Sequence, residues 1–120
     1  MKEDKYLVAA IKYLKNKPDG IFSGNKVQKE FPGYIASFGS AIIQSGLLPS
    51  VALFSQQGGQ GKNKIPLMNA IFELVKKTED QQRNFLDLAL ANKDNKQFEQ
   101  EVIRAAISLK LAMRTFEIDK

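Results

Sequence analysis

FPGYIASFGSAIIQSGLLPSVALFSQQGGQG, residues 31–61, runs for thirty-one positions without a charged side chain. The chain as a whole is 26% charged, so this stretch decides how the rest is read. An uncharged run of that length is a core, a membrane span, or a surface that another macromolecule covers. A span needs about 20 predominantly apolar residues. Here Pro32, Gly33, Gly39, Gly46, Pro49, Gly58, Gly59 and Gly61 interrupt the run, and Ser and Gln recur within it. The stretch therefore reads as helical core. Ile35, Phe38, Ala41, Ile42 and Ser45 share one side of a helix over about residues 34–45. Its other positions, Ala36, Ser37, Gly39 and Ser40, are small. Small residues let a neighbouring backbone come close, so this helix is expected to be tightly surrounded. Gly46 suits a left-handed C-cap. Pro49 is tolerated in the first turn of a following helix that Val51, Ala52, Leu53 and Phe54 continue.

Upstream, residues 3–16 form an amphipathic helix. Tyr6, Leu7, Ala10, Ile11, Tyr13 and Leu14 lie on one face, and Asp4, Lys5, Lys12 and Lys15 on the other. Lys17-Pro18-Asp19-Gly20 ends it. Residues 24–31 are expected to form a short second helix, with Lys26 to Glu30 exposed. Downstream, residues 56–63 have the composition of a flexible loop. Pro66 opens a helix with Leu67, Ala70, Ile71, Leu74 and Val75 at core spacing. Thr78 and Gln81 read as a capping box for a helix carrying Phe85, Leu86, Leu88 and Ala89. Asp94 is placed to cap a last helix over about residues 95–118. No segment alternates with the period of a strand, and no repeat is found. The expected class is all-α: a compact bundle of about five to six helices in one domain, residues 1–120.

Charge narrows the function. The net charge is +5, with a pI near 9.5. Residues 1–30 carry seven Lys against four acids, and residues 31–78 carry four Lys against one Glu. Residues 79–120 are nearly balanced, with seven basic and eight acidic side chains. A basic excess in the first two thirds suits a phosphate-facing surface. The bland alternative is generic solubility. The chain has no Cys and no His. Disulfides, zinc sites of the usual ligand types, Ser-His-Asp triads and Cys-His nucleophiles are excluded. Acids in the first residues and the absence of a long apolar run after them argue against a signal peptide. A cytoplasmic location, with no membrane and no small-molecule substrate, is the expectation.

The short motifs carry little chemistry. Gly61-Lys62 invites a P-loop reading, but Gln56 stands where its first glycine belongs and Asn63 replaces the Ser or Thr. Gly58-Gly59-Gln60-Gly61 satisfies a bare GxxG, without the strands of the domain that uses it. What survives is a loop whose Lys62 and Lys64 order against phosphates, or simply a linker. Glu79-Asp80 reads as first-turn dipole complement, and Glu99 and Glu101 point apart on their helix. No convergent pair supports catalysis, metal binding or a cofactor, and no enzymatic activity is expected.

The last helix carries two apolar stripes. Phe98, Val102, Ala105, Leu109, Ala112, Met113 and Phe116 form the core face. Ile103, Ile107 and Leu111 form a second, with Ile118 on the same side, bordered by Arg104, Lys110 and Arg114. Either the helix is central and buried on two sides, or this stripe is a contact strip for a partner protein, ringed by cations. The candidate partner interface is Ile103, Ile107, Leu111 and Ile118. The candidate nucleic-acid-binding residues are Lys26, Lys29, Lys62, Lys64, Arg104, Lys110 and Arg114.

The segment from Ala41-Ile42-Ile43-Gln44-Ser45-Gly46-Leu47-Leu48 to Pro49-Ser50-Val51-Ala52-Leu53-Phe54 resembles the fifth Cmr subunit, the small helical subunit of type III-B CRISPR–Cas RNA-targeting effector complexes. That family shows an apolar helix end, a Gly-Leu junction and a short helix closing in Leu-Ala-Phe-like residues. Gly46-Leu47 and Ala52-Leu53-Phe54 fill those places. Length, helical order and a last helix beginning near Phe98 agree over nearly the whole chain. The resemblance implies a non-catalytic subunit in antiviral defence. It implies stacking on copies of itself and on the backbone subunits, along the groove where guide RNA pairs with target RNA. Three alternatives stand beside it. The small subunit of a type III-A complex is one, and a helical protein-binding adaptor without nucleic-acid contact is another. The third, a helix-turn-helix DNA regulator built around Gly46, meets the objection that residues 48–54 are too apolar to read bases.

Overall fold

The structure is a computed structural model of the chain, and it describes residues 2–56 and 63–119. Lys62 and the glycine-rich loop around it lie outside the described residues. Among those residues there are six helices and one very short hairpin. The helices are α1 (Lys2–Lys15), α2 (Phe31–Ser45), α3 (Leu47–Phe54), α4 (Ile65–Val75), α5 (Phe85–Ala91) and α6 (Lys96–Met113). The hairpin pairs β1 (Phe22–Ser23) antiparallel with β2 (Lys26–Val27). The all-α class stands, with this one addition.

The hairpin replaces the short helix expected over residues 24–31. Gly24 takes a left-handed φ of +64°, which turns the chain between the two strands. Val27 then bonds not to a helical turn but to the far end of the chain. Its N–H donates to the Glu117 carbonyl at 2.8 Å, and its carbonyl accepts from the Asp119 N–H at 2.7 Å. Ile118, read from sequence as part of a helical contact strip, is therefore extended chain bridged to Val27 and packed against the core. The last helix stops at Met113, not near residue 118. The Thr115 hydroxyl donates to the Ala112 carbonyl at 2.7 Å, and Phe116 turns inward to meet the Phe22 ring edge-on at 5.5 Å.

Within the uncharged stretch, residues 31–54 form α2 and α3, joined through Gly46 alone. Pro32 does not interrupt α2 but opens it, where its missing N–H has no helical partner to lose. Gly46 has φ +90° and ψ 170°, so it is not the left-handed cap expected, although it still uses backbone that only glycine adopts freely. The Ser50 hydroxyl, buried, donates back to the Gly46 carbonyl at 2.7 Å and stiffens the corner. The turn folds Phe38 of α2 onto Phe54 of α3 (centroids 5.2 Å apart) and onto Phe85 of α5 (6.2 Å).

The helix expected to begin at Thr78 begins at Phe85. The Asn84 side chain accepts from the Asp87 N–H at 2.8 Å and is its cap. Residues 77–80 instead form a local turn. The Asp80 carboxylate accepts from the Lys77 N–H at 2.7 Å, and the Asp80 N–H donates to the Lys77 carbonyl at 3.0 Å. Such side-chain bonds to nearby backbone compete with helix formation. Glu79 and Asp80 accordingly do not sit in a helical first turn. At α6 the cap is Asn95, not Asp94, and its Oδ1 accepts from the Phe98 N–H at 3.1 Å.

α6 is the centre of the domain, packed against α1, α4 and α2. Phe98, Val102, Ala105, Leu109, Ala112 and Met113 are all buried as expected, and Ala106 and Ser108 widen the buried arc.

Candidate functional site

The second stripe of α6 is not buried. Ile107 is 56% exposed and Leu111 48%, while Ile103 is half-buried. Opposite them stands the face of α2 that bears small side chains. Ala36 and Ser40 are exposed, and a Cβ built on Gly39 meets nothing within 4 Å. The expectation that small residues draw a backbone against α2 fails. What they make instead is an open trench. It has a volume of about 420 Å³, with Ile35 and Ala106 as its buried floor and Ile43 on its edge, 80% exposed. Large apolar side chains this exposed, gathered in one groove, mark a contact surface.

Lys110 and Arg114 also line the groove. They lie four residues apart on one side of α6, and among the described residues neither enters an ion pair. Five of the residues singled out from sequence, Ile103, Ile107, Lys110, Leu111 and Arg114, thus meet in one site, and Ile118 does not. The far wall was missed. Its signal was Ile43, a large apolar residue left over on the small-residue face once Ile35, Phe38 and Ile42 had been assigned to the core.

The remaining cations are scattered. Lys26 stands 3.8 Å from the Glu117 carboxylate, with both side chains well exposed, a pair worth under about 1 kcal/mol. Lys29 is exposed at the entry to α2. Lys64 precedes α4 and lays its ammonium over two rings, 4.7 Å from the Phe54 centroid and 5.3 Å from that of Tyr34. Arg104 belongs to a second, polar concavity between α1 and α6, with Lys5, Lys77, Tyr6, Gln97, Gln100 and Glu101. There the Tyr6 hydroxyl donates to Glu101 Oε1 at 2.7 Å. Burial pushes the Tyr6 phenol well above its ordinary range, and the hydrogen bond and negative charge of Glu101 add to this. The Arg104 cation acts the other way.

Among the described residues no group of three or more His, Cys, Asp or Glu could hold a metal ion. No helix there is long and apolar enough to cross a membrane.

These features define a small helical protein with an apolar groove under a cationic rim and a second, polar concavity. The family model described as CRISPR-associated protein (Cas_Cmr5) matches residues 2–113, and the chain belongs to that family. It is a Cmr-type small subunit of a type III-B CRISPR complex. Among curated proteins and solved structures there is no significant match.

Proposed function

We propose that the protein is a non-catalytic architectural subunit. In this reading it stacks head to tail with copies of itself and against the backbone subunits of the Cmr complex, and so steadies guide and target RNA during antiviral defence in the cytoplasm. The observation that carries the reading is the groove between α2 and α6, apolar along its length and cationic at its rim. In this reading α5 supplies the ridge that enters it. Leu86 and Leu90 of α5 are exposed one turn apart, and the neighbouring Asp87 is exposed as well. A ridge on one copy seated in the groove of the next is a heterologous contact, which repeats without closing into a dimer.

Mixing two variants of the full chain tests this. Ile107→Glu disables the groove and Leu90→Glu the ridge. By light scattering, the unmodified protein associates as concentration rises, and each variant alone stays monomeric. Mixed in equal amounts, the variants form a one-to-one dimer through the surviving groove and ridge. Association of both single variants as strong as that of the unmodified chain overturns the head-to-tail reading. In the reconstituted complex, the groove variant is expected to lower the number of small subunits incorporated.

A further inference from the structure

Three cations from three different segments converge on the polar concavity of about 570 Å³ between α1 and α6. Lys5 comes from α1, Lys77 from the turn after α4, and Arg104 from α6. All three are exposed, and among the described residues none of them is in an ion pair. Like charges gathered this way repel one another unless an anion lies between them. One acid, Glu101, lines the space, and its Oε1 is taken by the Tyr6 hydroxyl at 2.7 Å. Lys5 is steered by the Tyr6 ring, whose centroid lies 4.9 Å from its ammonium. Lys77 is held at its backbone by Asp80, through the 2.7 Å bond from its N–H. Gln97 and Gln100 add neutral amides that donate or accept. Against three cations the single carboxylate leaves an excess of two positive charges.

We propose that this concavity binds consecutive phosphodiesters of a single nucleic-acid strand. The proposal rests on the RNA-steadying reading above and gives it a site, one that includes two lysines the sequence did not single out. The groove between α2 and α6 is left free for protein. The cations contact phosphate and sugar, so binding is indifferent to base sequence. Three separated cations on a concave wall suit a flexible strand, whose backbone bends to follow them.

Fluorescence anisotropy of the full chain with a labelled oligouridylate, repeated over a range of salt, tests the proposal. An oligothymidylate of the same length serves as a second probe. For a single strand each neutralised phosphate contributes about 0.7 to the salt slope. Replacing Lys5, Lys77 and Arg104 together by Ala is expected to lower that slope by about 2 and to weaken binding at least tenfold for both probes. Gln100→Lys is expected to raise the slope by about 0.7. Lys15→Ala, an exposed cation at the far end of α1 from Lys5, leaves both measures unchanged. If the unmodified chain binds and the triple variant keeps its slope, the concavity is not the site, although the RNA reading survives. If the unmodified chain binds neither probe at any salt, both readings fall. Loss of oligouridylate binding alone in the triple variant, with oligothymidylate held as before, overturns phosphate recognition.

Discussion

Gly20 lies against Pro66 so closely that a Cβ added to it would stand 2.5 Å from the proline Cγ. The contact ties the turn after α1 to the first turn of α4. Gly20 also has a φ of +88°, which side chains rarely adopt. Two costs therefore add in Gly20→Ala, backbone strain and overlap, for a loss of about 2–4 kcal/mol. Gly24 has φ +64° with nothing within 4 Å of its Cβ position, so Gly24→Ala carries the strain alone, about 1 kcal/mol. Urea denaturation of the two variants measures the difference. Equal losses would show that Pro66 simply moves aside.

Tyr6→Phe removes the hydrogen bond to Glu101 and is expected to cost about 1 kcal/mol in thermal or urea unfolding. It also changes the alkaline limb. A phenol whose pKa is raised on folding favours the folded state in its neutral form. That contribution is complete below the unfolded value of 10.0 and is lost as pH climbs through the higher folded value. Stability should thus fall above about pH 10, less steeply in Tyr6→Phe. Tyr13 is raised in the same direction, by burial first and the nearby Glu73 second, and accounts for part of the slope that remains.

Lys64→Ala is expected to lower stability by about 0.5–1 kcal/mol, through loss of its seat over Phe54 and Tyr34. Its effect on the salt slope of RNA binding should be close to nil. A drop of about 0.7 in that slope would instead return Lys64 to the phosphate contacts.

Asn84→Ala and Asn95→Ala each leave a helix start without its side-chain acceptor and should cost about 1 kcal/mol. Thr78→Ala and Asp94→Ala, at the caps read from sequence, should change little. Circular dichroism melts of the four variants give the order directly.

Helices whose apolar residues recur at three and four were legible in the sequence: α1, α2, α4 and the core face of α6. Their signal is burial itself, which periodicity reports. The segments that failed are those where local chemistry competed with the pattern. Thr78 and Gln81 match a capping box, yet Asp80 folds back on Lys77 first. Residues 24–31 look helical in isolation, but Val27 is claimed by residues near the chain's other end. The same contact removes Ile118 from the stripe that holds Ile103, Ile107 and Leu111. Half of the groove was legible because its α6 wall breaks the amphipathic rule visibly. The α2 wall is made of absences, small side chains that leave room, and composition does not say whether such room is filled. Lys5 and Lys77 went unnoticed because their convergence on Arg104 exists only in three dimensions.

The clasp between Val27 and residues 117–119 has a temporal consequence. A polypeptide emerges from the ribosome amino end first. Phe22 and Val27 must therefore wait, without their final cover, until Phe116 to Asp119 have been joined. Any shortened product that ends inside α6 would leave the hairpin unlatched and its apolar underside bare, ready for degradation rather than assembly. Closure of the domain therefore follows the making of residues 117–119, which favours incorporation of copies that carry them.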